Sequence, residues 1–288
     1  MLTVLAPAKI NLTLEVLAKR QDGFHEIRSI IQTINLCDSL RFQLSQNIEF
    51  KCGLPDWIPE ESLVSKATGL LQEVTGCAKG ATIEINKRIP LMSGLGGDSS
   101  DAAAILRGLN KLWGLSLSPG ELLELAARLG SDVAFFLYGG TALVKGRGEV
   151  VTPLPPLSHM WVVLMIPPVP RLPGKTERLY ASLSASHYTD GQVTEKLVKG
   201  LREGREFSLS LLFNAFDNVA FARFSEISVY REYLVRVGAT NVHLAGSGPT
   251  LFTLVKDKTQ AEKICIRLKQ QRLEPYLTET LATIEKVE

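Results

Sequence analysis

The segment Pro90-Leu91-Met92-Ser93-Gly94-Leu95-Gly96-Gly97-Asp98-Ser99-Ser100-Asp101 constrains this chain more than any other. Before it, Ile83 and Ile85 alternate with Glu84 and Asn86, which predicts a strand over residues 81–89 ending at Pro90. After it the apolar spacing changes to three and four, with Ala102, Ile105, Leu106, Leu109 and Leu112 along one face, so a helix is expected from Ser99 onward. The unit reads strand, glycine turn, helix. Glycines let backbone amides come close to a ligand, and the first N–H groups of a helix are unpaired and carry the positive end of its dipole. Such a turn can cradle a phosphate. It can also be only a tight turn with a serine N-cap. The segment has neither the GxxxxGK[ST] nor the GxGxxG spacing, which excludes two common phosphate loops.

Three further segments carry chemistry. In Ala6-Pro7-Ala8-Lys9-Ile10-Asn11-Leu12 a cation and an amide sit inside an apolar strand. A buried lysine needs a partner, so Lys9 is expected to face a carboxylate or a polar cleft, the alternative being a lysine that snorkels to the surface. In Gly130-Ser131-Asp132-Val133-Ala134-Phe135-Phe136 an acid follows one helix and precedes an apolar run, where it can act as a general base or simply as a turn or cap residue. Leu244-Ala245-Gly246-Ser247-Gly248-Pro249-Thr250 lies between two expected strands and either approaches a ligand or makes a hairpin-like turn.

Elsewhere, periodicity and breakers set the organisation. Leu2, Val4, Leu12, Leu14 and Val16 alternate around Pro7, and strands are expected at 30–36, 40–44, 141–145 and 149–152. Residues 63–74 have helical spacing. A second helix is bracketed by Ser118 as N-cap, Pro119 at the first position, Glu121 completing a capping box and Gly130 past the end. The cluster Pro153, Pro155, Pro156 marks a boundary near residue 157, with a new strand from Trp161. Beyond it come helices at 176–183, within 193–212, and at 225–237 and 259–270, and strands at 241–244 and 251–256. The mixture without a strict βαβ rhythm favours an α+β fold with units 1–157 and 158–288.

Composition narrows the partners. Of 288 residues 45% are hydrophobic and 22% charged, and 32 Lys plus Arg against 30 Asp plus Glu leave +2, so no global field recruits nucleic acid or anionic lipid. The apolar run from Trp161 to Pro168 is far short of the ~20 residues that span a membrane. Lys9 and Asn11 stand where a secretory signal would be apolar. Cys37, Cys52, Cys77 and Cys265 lie far apart, without a CxxC pair, and read as reduced thiols of a cytoplasmic protein.

Taken in order, AxxKxNL, PxxxGLGGxSSxAA, GSDVAFF and AGSGPT make the chain resemble the GHMP kinase superfamily. Arg20-Gln21-Asp22-Gly23-Phe24-His25-Glu26-Ile27 makes it similar to a branch that acts on a cytidine-bearing substrate. The resemblance implies a two-domain α+β fold with the active site in the cleft between domains. It implies transfer of the ATP γ-phosphoryl group, with Mg²⁺, to the 2-hydroxyl of 4-diphosphocytidyl-2-C-methyl-D-erythritol, in the methylerythritol phosphate route to isopentenyl diphosphate. Under it, Pro90 to Ser100 is the ATP loop, Lys9 the catalytic lysine and Asp132 the catalytic aspartate. Asn11, Phe24, His25, Thr176 and Tyr180 face the substrate. A cytosine would stack between Phe24 and Tyr180 while His25 reads its edge, the alternative being ordinary packing of these rings.

The chain departs from the family at three places. Asp98 stands where glycine is usual, Asp101 where asparagine is usual, and Phe24 where tyrosine is common. Two carboxylates in a phosphate loop repel the ligand unless they point away or a cation intervenes. Asp98 is expected to point to solvent, and Asp101 either does the same or helps to hold Mg²⁺. Trp57 either flanks the adenine or caps a core.

Overall fold

The structure is a computed structural model that describes residues 1–55, 57–169 and 174–284. The alternation around Pro7 forms one long strand, β1 (Leu2–Lys19), antiparallel to β2 (His25–Ser45), which joins the two shorter strands expected from the sequence. Pro7 interrupts neither and sits beside a register irregularity, the place where a strand tolerates proline. Along β1 the residues Ala8, Ile10, Leu12, Leu14 and Val16 are buried in apolar cores, yet Lys9, Asn11, Thr13 and Glu15 between them are also buried. A strand with a buried polar face must line a satisfied internal network or a site.

Around this pair, β3 (Ile48–Cys52), β4 (Gly80–Asn86), β5 (Thr141–Gly146), β6 (Val150–Pro153) and β8 (Phe213–Asn214) complete a seven-stranded sheet of order β3-β4-β2-β1-β8, with β5 pairing β2 and β6. The length of β2 permits this: residues 27–32 pair with β5 and residues 39–45 with β4. Helices α1 (Leu63–Thr75), α2 (Gly97–Trp113), α3 (Pro119–Leu129) and α4 (Ser131–Tyr138) join the core built on it. Ala102, Ile105, Leu106 and Leu109 are fully buried, as the helical spacing requires. The capping box at Ser118 and Glu121 is present with both hydrogen bonds. Gly130 ends α3, but Asp132 lies in the first turn of α4 rather than in a simple turn, since the apolar run after it supplies a helix of its own.

The second sheet, β11-β7-β10-β9, is made of β7 (Trp161–Met165), β9 (His243–Leu244), β10 (Leu251–Val255) and β11 (Tyr276–Glu279). With it go α5 (Lys175–Ala181), α6 (Gln192–Arg202), α7 (Phe216–Arg223), α8 (Ser225–Arg236) and α9 (Lys258–Gln270). The helical stretches expected within 193–212 are α6, which ends at Arg202, and a 3₁₀ turn at Leu209–Leu211.

The crossing between sheets lies between Pro153 and Trp161, with Leu154, Leu157 and Met160 buried along the way. The chain then returns to the first sheet: β8 pairs with β1 in parallel, and Thr280 bridges Ile34. One core cluster accordingly mixes Ala8, Ile10 and Ile30 with Val162, Leu164 and Phe252. Among the described residues no helix is long and apolar enough to cross a membrane.

Candidate active site

The buried polar face of β1 opens the site. Lys9 Nζ donates to Asn11 Oδ1 at 3.0 Å and lies 3.6 Å from Asp132 Oδ2, the two side chains being 7% and 37% exposed. Asn11 is fixed in turn: its Nδ2 donates to Ser29 Oγ at 2.9 Å, and Ser29 Oγ donates to the Thr13 carbonyl. Thr194 on α6 closes the network by donating through Oγ1 to Thr13 and through its N–H to Glu15 Oε2 at 2.7 Å. The cation is thus positioned inside the molecule while its carboxylate partner keeps an exposed side.

Two glycine loops meet at Lys9. Its N–H donates to the Leu95 carbonyl at 2.9 Å, docking the first loop on β1. Gly94 has φ +85°, and a Cβ there would lie 2.4 Å from the Ala245 carbonyl oxygen and 2.8 Å from that of Gly248. Only glycine allows so close an approach of backbone to backbone. Gly246 has φ +59°, and a Cβ on it would come 3.1 Å from Lys9 Nζ. The second loop is held by Asn214, whose Nδ2 donates to the carbonyls of Leu244 and Gly246 at 2.9 and 2.8 Å. Thr250 N–H donates to the Ser93 carbonyl at 3.3 Å, and the Thr176 and Ser247 hydroxyls are hydrogen-bonded at 2.8 Å. Pro90, Leu91, Met92, Ser93, Gly94, Gly96, Gly97, Asp98 and Ser99 line a cavity of about 220 Å³ at the start of α2, whose first amides face no helical partner.

The aromatic end is built on the turn between β1 and β2. Asp22 accepts the Phe24 N–H at 3.1 Å, Arg20 N–H donates to the Phe24 carbonyl at 2.8 Å, and Arg20 pairs with Glu26 at 2.6 Å. This sets Phe24 outward and His25 inward. His25 stacks on Tyr180 with ring centroids 4.9 Å apart and planes 23° from parallel, and Tyr180 meets Phe216 edge-on. Phe24 is 52% exposed and lies under the Arg147 guanidinium, 4.9 Å from its ring centroid. The rings expected to flank a base are therefore arranged as Tyr180 on His25, with Phe24 outside beneath a cation. Burial, followed by the Lys19 charge, holds the His25 imidazole below its ordinary pKa and so neutral. Burial, with the Asp132 charge adding, pushes the Tyr180 phenol up to about 12.

The two unusual acids are engaged by groups of the protein itself. Asp98 is exposed, as expected, but it also accepts the Leu63 N–H at the start of α1 at 3.1 and 3.3 Å. Asp101 is not at the surface: it is fully buried and pairs with Lys87 at 2.6 Å, which commits it away from solvent and from a bound cation. Trp57 packs edge-on against Phe50 beside the first core.

The sequence reading missed Thr13, Glu15, Ser29, Asn214, Arg147 and Lys87. A signal was present for the first two, since polar residues at 9, 11, 13 and 15 keep strict period two within a strand apolar on its other face. None marked Asn214 or Arg147, which tertiary contacts bring in.

Comparison with known proteins gives the family of the chain. Residues 62–140 match the model of the GHMP kinases N terminal domain and residues 197–272 that of the GHMP kinases C terminal. The chain belongs to the GHMP kinase family. A relative from Dehalococcoides mccartyi named 4-diphosphocytidyl-2-C-methyl-D-erythritol kinase is 50% identical over 99% of this chain and 100% of its own length. One of the same name from Symbiobacterium thermophilum is 38% identical over 95% of this chain and 98% of its own. The crystal structure of a 4-(cytidine 5'-diphospho)-2C-methyl-D-erythritol kinase superposes with TM-score 0.82 at 30% identity, covering 96% of this chain and 98% of that one. A homoserine kinase from Cytophaga hutchinsonii shares the fold, with TM-score 0.74 at 21% identity over 99% of this chain and 96% of that one.

Proposed function

We propose that the chain transfers the γ-phosphoryl group of ATP to the 2-hydroxyl of 4-diphosphocytidyl-2-C-methyl-D-erythritol, giving the 2-phosphate and ADP, in the methylerythritol phosphate route of isoprenoid precursor synthesis. The observation that carries the reading is the Lys9 to Asp132 approach at 3.6 Å between two glycine loops.

In this reading the acceptor hydroxyl lies against Asp132. The bond from the γ-phosphorus to the ADP oxygen breaks, a bond to the acceptor oxygen forms, and the hydroxyl proton passes to the Asp132 carboxylate. Lys9, held by Asn11, neutralises charge on the transferring group and orients the carboxylate. The unpaired amides of Gly96, Gly97, Asp98 and Ser99 at the start of α2 hold the phosphates in line. Hard oxygens suit Mg²⁺, and an ion arriving with the nucleotide would be held by phosphate oxygens and water, supplying further charge neutralisation and leaving Asp132 to the acceptor hydroxyl. Among the described residues no group of three His, Cys, Asp or Glu side chains is assembled to hold a metal without the nucleotide.

Specificity belongs to the aromatic end. The neutral His25 reads the cytosine edge, Tyr180 and Phe24 offer ring faces, Thr176 fixes the Ser247 loop, and Arg147 stands beside Phe24 as a cation for the diphosphate. We keep 1–157 and 158–288 as the two units, and place the enzyme in the cytoplasm, where its four cysteines, none of them in a disulfide, stay reduced. A coupled assay of ADP formation tests the reading: turnover is expected with the cytidylyl methylerythritol substrate and not with homoserine or mevalonate, and the reverse preference overturns it.

A further inference from the structure

Beneath the phosphate loop lies a charged group that the mechanism above does not use. The Lys87 ammonium is 2.5 Å from Asp38 Oδ2 and 2.6 Å from Asp101 Oδ2, and the three side chains are 2%, 0% and 0% exposed. Lys87 follows β4 and precedes the loop; Asp101 follows the loop on α2; Asp38 comes from the middle of β2. The other oxygen of Asp38 accepts the N–H groups of Arg88 and Ile89 at 2.5 and 2.7 Å, which pins the chain just before Pro90. A Cβ on Gly97, the first residue of α2, would lie 3.5 Å from Lys87 Nζ, and Lys87 also lines the cavity of the loop. One ammonium therefore ties the strand exit to the helix start, the two ends between which the glycines hang.

Ion pairs buried this deeply add little net stability over an apolar replacement, because desolvation cancels most of the attraction. What they do supply is a fixed distance between the elements that carry them. We propose that Asp38, Lys87 and Asp101 form a strut that sets the width of the phosphate loop, with Lys87 a positioning residue for the nucleotide phosphates. This rests on the reading of the loop as the ATP site.

The charge balance of the strut gives it a signature. Asp101 is faced by Lys87 at the strand exit, by Asp38 on β2, and by Asp98 on its own helix. Burial, reinforced by the Asp38 and Asp98 charges and opposed by Lys87, raises its pKa well above the usual carboxylate range. Its second oxygen has no hydrogen-bond partner among the described residues. Burial opposes the charge on Lys87, but the two carboxylates outweigh it and keep the ammonium protonated.

The test measures kcat and KM for ATP from about pH 5 to about pH 9 in the parent enzyme, Lys87→Met and Asp101→Asn. Lys87→Met is expected to raise KM for ATP about tenfold or more with a much smaller change in kcat, and no change in KM for the cytidine substrate. Asp101→Asn, nearly isosteric but without the charge that pairs with Lys87, is expected to raise KM for ATP by a smaller factor, again with little change in kcat. If Lys87→Met does not fold, Asp101→Asn decides alone. A parent that saturates with ATP while the folded variants keep its KM for ATP overturns the strut alone. A parent that shows no saturation by ATP overturns the nucleotide reading and the strut together.

Discussion

Lys9 Nζ stands 3.6 Å from Asp132 Oδ2, the first carried by β1 and the second by the opening turn of α4. Neither makes a strong stability element, since Asp132 keeps more than a third of its side chain in solvent, and exposed pairs contribute little. Their closeness is useful only to a third group that both can touch. Lys9→Met and Asp132→Asn are each expected to lower kcat by about 10²–10⁴-fold with small changes in KM, as read by steady-state kinetics on both substrates.

The contact between the two glycine loops is steric. Gly94→Ala puts a methyl group 2.4 Å from the Ala245 carbonyl at a backbone angle that L residues avoid, so a loss of about 1–3 kcal/mol is expected in denaturant unfolding. Gly246→Ala crowds Lys9 Nζ instead, at 3.1 Å. Its effect should appear more in kcat than in stability.

Tyr180 lies flat on His25, so a base entering there gains a ring face. CDP is expected to raise the melting temperature of the parent, Tyr180→Ala to lose most of that shift, and Tyr180→Phe to keep it. A full shift in Tyr180→Ala removes the residue from the pocket.

His25 is depressed in pKa by burial first and by Lys19 second. The unfolded chain therefore takes up a proton at this residue at higher pH than the folded one does. The neutral ring contributes stability fully above the unfolded value of about 6.5, and this is lost as pH falls through the lower folded value. The difference in unfolding free energy between the parent and His25→Gln should shrink as pH is lowered over that window, measured by denaturant titration.

Arg147 covers Phe24 from the turn between β5 and β6, and a Cβ on the next residue, Gly148, would lie 2.8 Å from Ser131 Cβ, the neighbour of Asp132. That turn bridges the aromatic end and the reacting end. Arg147→Ala is expected to raise KM for the cytidine diphosphate substrate about tenfold and to leave KM for ATP unchanged.

Much of this was legible along the chain wherever local rules decide. The glycine turn after Pro90, the helix it feeds and the capping box at Ser118 and Glu121 follow from backbone freedom, apolar spacing and cap chemistry, each needing only a few neighbouring residues. The polar residues Lys9 and Asn11 within an apolar strand announced a site for the same reason: a buried charge must meet a partner. Which partner it met was a tertiary matter. Asp132 became the first turn of a helix, Asp101 turned inward to Lys87, Asn214 reached back to hold the Gly246 loop, and Tyr180 settled on His25 rather than opposite Phe24. None of these pairings has a period or a spacing. They depend on how two sheets pack around a shared core that draws on both halves of the chain, and close packing leaves room for one arrangement of the side chains caught between them.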